Sequence, residues 1–195
     1  MTKRKKRLRW IERCLWVAAI IALGWVAFVY IESYVYQKYA SYQLEQQTLA
    51  DGTTAQAEGL AAQEFPLLAR LSVPRLDLSV MVREGVDNKT LRRAAGHIPG
   101  TAAPGRSGNV GIAGHRDTFF RPLKDIQEND VIEITTREGE FRYRVEWTAR
   151  VKPDEIHVLD QTEHPSLTLV TCYPFNYVGN APERFIVRAR ETTDR

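Results

Sequence analysis

The chain has 195 residues, 44% hydrophobic and 26% charged, with a formal net charge of +3. Seven of its 27 basic residues lie in Lys3–Arg13 against one of its 24 acids, so the rest carries 20 basic and 23 acidic side chains. That near-neutral remainder gives the basic pI no value as a sign of nucleic-acid binding, and the composition fits a globular protein with one apolar addition.

Residues 1–13 form a basic tail that reads KRKKRLR before the first apolar run. Cys14–Ile31 then holds eighteen residues without a charge. As a helix it spans roughly 27 Å, close to a bilayer core of about 30 Å. Trp10 and Trp16 flank one end, and Tyr30, Tyr34 and Tyr36 the other, as in aromatic belts. The basic run places the N-terminus in the cytoplasm and the remainder outside. A cleaved signal peptide is the competing reading. The run is long for that, holds two tryptophans and lacks an A-x-A site where cleavage should fall. Residues 32–65 are rich in Gln, Ala and Tyr and read as a stalk.

The folded domain is expected over residues 66–195. Ala69–Val73 and Leu78–Val82 read as strands around Pro74-Arg75. Asp87 or Asn88 can cap a short helix through Ala95, ended by Gly96. Asn109–Ala113 is a strand that stops at Gly114-His115-Arg116, and Phe119–Ile126 is a connector with one helical turn. Val131–Thr136 and Glu140–Val151 alternate about the turn Arg137–Gly139 and read as a hairpin. Lys152–Asp160 reads as a loop. Leu167–Thr171 is a short apolar strand ending on Cys172, Tyr173–Glu183 is a Pro-, Gly- and Asn-containing loop, and Arg184–Ala189 is the last strand. Seven or eight short strands with little helix predict a mainly β fold, a closed barrel or a sandwich.

Two cysteines occur, and this topology separates them. Cys14 sits at the membrane edge as an apolar filler. Cys172 is a lone exported thiol, the kind worth testing as reactive, although a small buried core residue is its common alternative. Catalysis by a thiol also needs a proton carrier and a group for the oxyanion. His115 follows a strand and two small residues and is flanked by Arg116 and Asp117. His97 follows a helix, and His157 and His164 lie in polar loops. Position alone favours His115. Arg184 opens the last strand across the hairpin from Cys172, as a fixed cation beside the thiol or as a solvated strand-edge residue. Arg188 lies four residues along that strand, on the same expected face, and is the natural control for general charge. No P-loop glycine pattern, HExxH, paired CxxC or G-x-S-x-G occurs, so no cofactor, metal or serine chemistry is expected.

The combination of IAGHRDTFF with TLVTCYPFNYVGNAPERFIVRA resembles the sortases, membrane-anchored cysteine transpeptidases of bacteria. Their TLxTC strand matches Thr168–Cys172, their histidine after a Gly-His step matches His115, and their last-strand arginine matches Arg184. The Cys-Tyr-Pro sequence and the last-strand region are most similar to the class D group. The resemblance implies an eight-stranded barrel with short helices behind one transmembrane helix. It implies that Cys172 attacks the Thr–Gly carbonyl of an LPxTG-like sorting signal and forms a thioacyl intermediate. His115 would move the protons, Arg184 would steady substrate and oxyanion, and Thr171 would help there. The implied partners are surface proteins bearing a C-terminal sorting motif and an amine acceptor in the cell envelope or on another subunit. Transfer of the acyl group to water, or an idle tethered barrel that binds a partner, are the alternatives.

Overall fold

A computed structural model describes residues 10, 12–25, 31, 35 and 67–192. The chain divides into two units, Met1–Lys38 and Tyr39–Arg195. In the first, residues 12–25 form a helix, α1, and each of them is exposed. Among the described residues no helix is long and apolar enough to cross a membrane. The expected span Cys14–Ile31 continues through 26–30, which lie outside the described residues, as does nearly all of the expected tail and stalk.

The second unit is a closed barrel. Its strands are β1 (Leu67–Val73), β2 (Leu78–Glu84), β3 (Ala95–His97), β4 (Asn109–Ala113), β5 (Val131–Thr135), β6 (Glu140–Val151), β7 (Ser166–Tyr173) and β8 (Glu183–Glu191). They close in the order β1-β2-β3-β4-β7-β8-β6-β5. Two pairings are parallel, β2 with β3 and β4 with β7, and the rest are antiparallel. A closed barrel leaves no edge strand to protect.

The hairpin β5–β6 follows its alternation. Ile132, Ile134, Tyr143 and Val145 turn into the core, and the charged residues between them turn to solvent. β7 does not alternate, because both of its faces are covered. Leu167 and Leu169 join the core. On the other face Thr168 is buried beneath a 3-10 turn, Ile156–Leu159, in the stretch expected to be an irregular loop. Buried hydrogen bonds fasten that turn: the Asn109 amide donates to Val158 O at 3.3 Å and Asp160 O at 3.1 Å, and Thr168 Oγ1 donates to Asn109 Oδ1 at 2.7 Å.

The helix α2 covers Asn88–Arg93 and stops earlier than expected. Asp87 is its N-cap and accepts from Lys89 N at 2.8 Å and Thr90 N at 3.1 Å, which with the Thr90 hydroxyl holds its carboxyl below the usual range. Ala94 is already extended, and Ala95–His97 form β3 beside β2. Three residues are too few for a periodic signal, so this strand was not legible locally. Gly96 permits it, because a Cβ there would lie 2.2 Å from the Gly85 carbonyl oxygen.

Candidate active site

β4 and β7 run parallel in register, Ala113 beside Val170. The chain leaving β4 is held to β7 by two further bonds. Gly114 N donates to Val170 O at 3.1 Å, and Thr171 Oγ1 donates to Gly114 O at 2.7 Å. His115 therefore emerges beside the end of β7. Behind it, Phe120 is fully buried, and its ring would lie 2.7 Å from a Cβ at position 114, so only glycine fits that step. Phe120 N also donates to His115 O at 3.0 Å.

β7 and β8 pair antiparallel with Cys172 directly opposite Arg184. His115, Cys172 and Arg184 line one cleft of about 310 Å³, together with Arg116, Asp117, Gly179, Asn180 and Ala181. A larger cleft of about 700 Å³ lies beside Tyr173 and Phe185, but its lining holds no thiol and no imidazole. Chemistry, not size, selects the smaller one. Arg184 Nη1 donates to Ala181 O at 3.3 Å and to Glu183 O at 3.0 Å, which orients the guanidinium at the start of β8. The arrangement gathers a thiol, an imidazole and a guanidinium at one cleft, the three kinds of group that thiol catalysis requires.

A family model described as Sortase domain matches residues 71–192. This chain belongs to the sortase family. It is 35% identical over 124 residues to Sortase D of Bacillus subtilis, a match that covers 63% of each chain. The sortase therefore spans less than two thirds of that relative's length. Among solved structures, Sortase A from Corynebacterium diphtheriae, as a lid mutant, superposes with TM-score 0.64 at 26% identity over 81% of this chain and 96% of that one. The Sortase D5 transpeptidase of Clostridium perfringens also gives TM-score 0.64, at 24% identity over 83% and 98%. The family, the class D likeness and the eight-stranded barrel that the resemblance implied are all found, and of the barrel and sandwich that the strand pattern left open the structure is the barrel.

The remaining expected site residue, Thr171, does not line the cleft. It is 3% exposed, and its hydroxyl is given to Gly114 O. In this sortase its side chain fixes the backbone ahead of His115.

The other histidines stand apart from the cleft lining. His157 and His164 are exposed. His97 is 5% exposed, with Nδ1 2.9 Å from Glu84 Oε2 and Nε2 2.8 Å from Ala102 O. Both ring nitrogens are thus engaged in holding the segment after β3. His97→Ala is expected to lower stability by about 2 kcal/mol, since hydrogen bonds to charged groups contribute about 1.5–3 kcal/mol each. That corresponds to a Tm lower by roughly 8 °C for a domain of this size. Specific activity well below the Tm should stay within about twofold, because the ring touches nothing in the cleft. Melting curves and initial rates check both. A matched Tm with lost activity would bring His97 into the chemistry.

Arg188 fails as an innocuous control. It is 9% exposed, its Nη2 donates to Val158 O at 2.7 Å, and its guanidinium lies 5.6 Å from the centre of the Trp147 ring. Burial lowers its pKa, with Glu146 opposing. The even spacing placed it correctly on the strand, but the covering turn Ile156–Leu159 was invisible to a strand pattern.

Among the described residues no three His, Cys, Asp or Glu side chains gather where they could hold a metal ion. Sequence reading gave no role to Arg116 or to Gly179–Ala181. The one available signal was the position of Arg116 beside His115.

Proposed function

We propose that this sortase is a membrane-anchored cysteine transpeptidase. It cuts an LPxTG-like sorting signal in a surface protein and passes the acyl part to an amine acceptor. The observation that carries this reading is the shared cleft, which is lined by His115 and by the strand-paired residues Cys172 and Arg184.

In this mechanism the Cys172 sulfur, as thiolate, attacks the Thr–Gly carbonyl carbon. The oxyanion that forms accepts hydrogen bonds from Arg184, whose permanent charge favours it more than the neutral carbonyl. The C–N bond then breaks as His115 gives its proton to the leaving amine. A thioacyl enzyme and neutral His115 remain. The incoming amine, as the neutral base, attacks the same carbonyl carbon and gives one proton to His115, and the C–S bond breaks as the thiolate leaves, which restores the starting thiolate and protonated His115. Thr171 serves by holding Gly114, and so the approach of His115.

The full chain in detergent, incubated with a sorting peptide, tests this by product mass. With an added amine the product should carry that amine. Water on the product in both arms would make the chain a thiol protease. No acyl product and no selective labelling of Cys172 by a thiol probe would leave a binding barrel.

The anchor belongs to the same proposal. Leu15, Trp16, Ile20, Leu23 and Trp25 of α1 are all well exposed, an apolar surface on more than one side of a helix that suits lipid. The tail KRKKRLR supports a cytoplasmic N-terminus and an extracytoplasmic barrel. Protease added to intact cells, or to spheroplasts where an outer membrane exists, is expected to digest the barrel. Digestion only after lysis would reverse the topology.

A further inference from the structure

We propose that Arg116 is a positioning residue of this site, latching the loop 174–182 so that the wall beside Cys172 and the carbonyl that orients Arg184 stay in place. This rests on the transpeptidase reading for its kinetic consequence, though not for the latch itself.

Arg116 follows His115 and lines the same cleft. Its Nη2 donates to Tyr177 O at 2.7 Å and Gly179 O at 3.1 Å. Its guanidinium lies 5.9 Å from the centre of the Tyr177 ring. The loop has little else to hold its tip. Tyr177 is 47% exposed and Val178 96%. Among the described residues, the one backbone hydrogen bond from one loop residue to another is Tyr177 N to Pro174 O, at 3.3 Å. Two residues beyond Gly179, Ala181 O accepts from Arg184 Nη1. Two arginines from different elements thus hold one short segment, and Gly179, Asn180 and Ala181 of that segment are cleft wall.

Arg116 Nη1 is buried and makes no hydrogen bond among the described residues. A buried donor left unmet is unfavourable, so stability alone would not choose this placement. Both bonds leave the one nitrogen Nη2, whose two hydrogens are fixed in the guanidinium plane, whereas the ammonium of a lysine turns freely on a flexible stem and fixes two carbonyls less well. Freed of the latch, the loop would carry Ala181 away from Arg184. A misplacement of about 1 Å can cost on the order of 10²-fold in rate.

Arg116→Met keeps the apolar stem without donors, and Arg116→Lys keeps the charge. Both are made in the full chain and measured in detergent. In Arg116→Met, amide hydrogen exchange at Tyr177, the loop amide that is bonded to Pro174 O, should rise at least about tenfold, with β7 and β8 unchanged. Its kcat on a sorting peptide should fall about 10–100-fold, with KM within about threefold. Arg116→Lys should recover part of both, and both variants should melt close to wild type. Unchanged exchange at Tyr177 overturns the latch. Raised exchange with kcat unchanged, or a loss wholly in KM, overturns the positioning role. If the wild-type chain turns over no peptide yet the exchange rises as stated, the latch stands and the transpeptidase reading fails.

Discussion

Cys172→Ala is expected to abolish the acyl-enzyme and all turnover of a sorting peptide, while the barrel stays folded. The side chain is half-buried at the cleft, and removing one sulfur there leaves the β7–β8 ladder intact. Loss of a covalent nucleophile costs on the order of 10⁶ in kcat in well-studied enzymes, with the other groups left in place, so activity should fall below detection in an ordinary assay. His115→Ala should remove about 10²–10⁴ in rate, the usual contribution of a positioned proton carrier. The two variants separate by mass spectrometry. Cys172→Ala should never carry the acyl group. His115→Ala can still form a small amount of thioacyl enzyme and then fail to pass it on. Cleavage by a well-folded Cys172→Ala protein would refute the assignment of the nucleophile, whatever the family.

Arg184→Lys is the second large effect. As a solvated residue at a strand edge, Arg184 would tolerate lysine, since charge and length are nearly kept. As the oxyanion donor it would not. Guanidinium presents a planar set of donors, and ammonium is a compact, strongly hydrated charge. In this structure Arg184 Nη1 is also bound to Ala181 O and Glu183 O, so the orientation of the rest of the guanidinium depends on that fork. Losing one aligned oxyanion donor costs about 10²–10³ in rate. Arg184→Lys should lose at least about tenfold in kcat/KM, a barrier change of roughly 1.4 kcal/mol. Arg106, exposed and paired with Glu138 at 2.9 Å, is a sounder control than Arg188. Arg106→Lys should stay within about twofold, since an exposed ion pair contributes little. Wild-type kinetics for Arg184→Lys at matched Tm would return the residue to a structural role.

Much of this molecule was legible where local rules act alone. The hairpin β5–β6 follows its alternation because one face meets the core and the other meets water. The helix cap at Asp87 follows from the need of the first amides for an acceptor. The neighbours of Cys172 and Arg184 were legible too, because a short antiparallel hairpin fixes its own register. The sortase resemblance rested on the stretch around His115 and on this last hairpin. β3 was missed because three residues carry no period, and the burial of Arg188 because the turn that covers it belongs to another part of the chain.

Local pattern thus determined every strand but β3 and the hairpin that sets Cys172 against Arg184, and the motifs along it carried the family resemblance. Closure of the barrel decided the rest. The parallel pairing of β4 with β7 brings Gly114 to Thr171, 57 positions on, and so brings His115 to the cleft that Cys172 lines. The same closure turns Thr171 away from the cleft and lets Arg116 reach Tyr177, 61 positions on. Which of four histidines shares the cleft with the cysteine is a question of distant pairing. Pairing over such separations is set by how the whole sheet buries its core, because the entropy of closing each loop is repaid by the assembled sheet and not by any single segment.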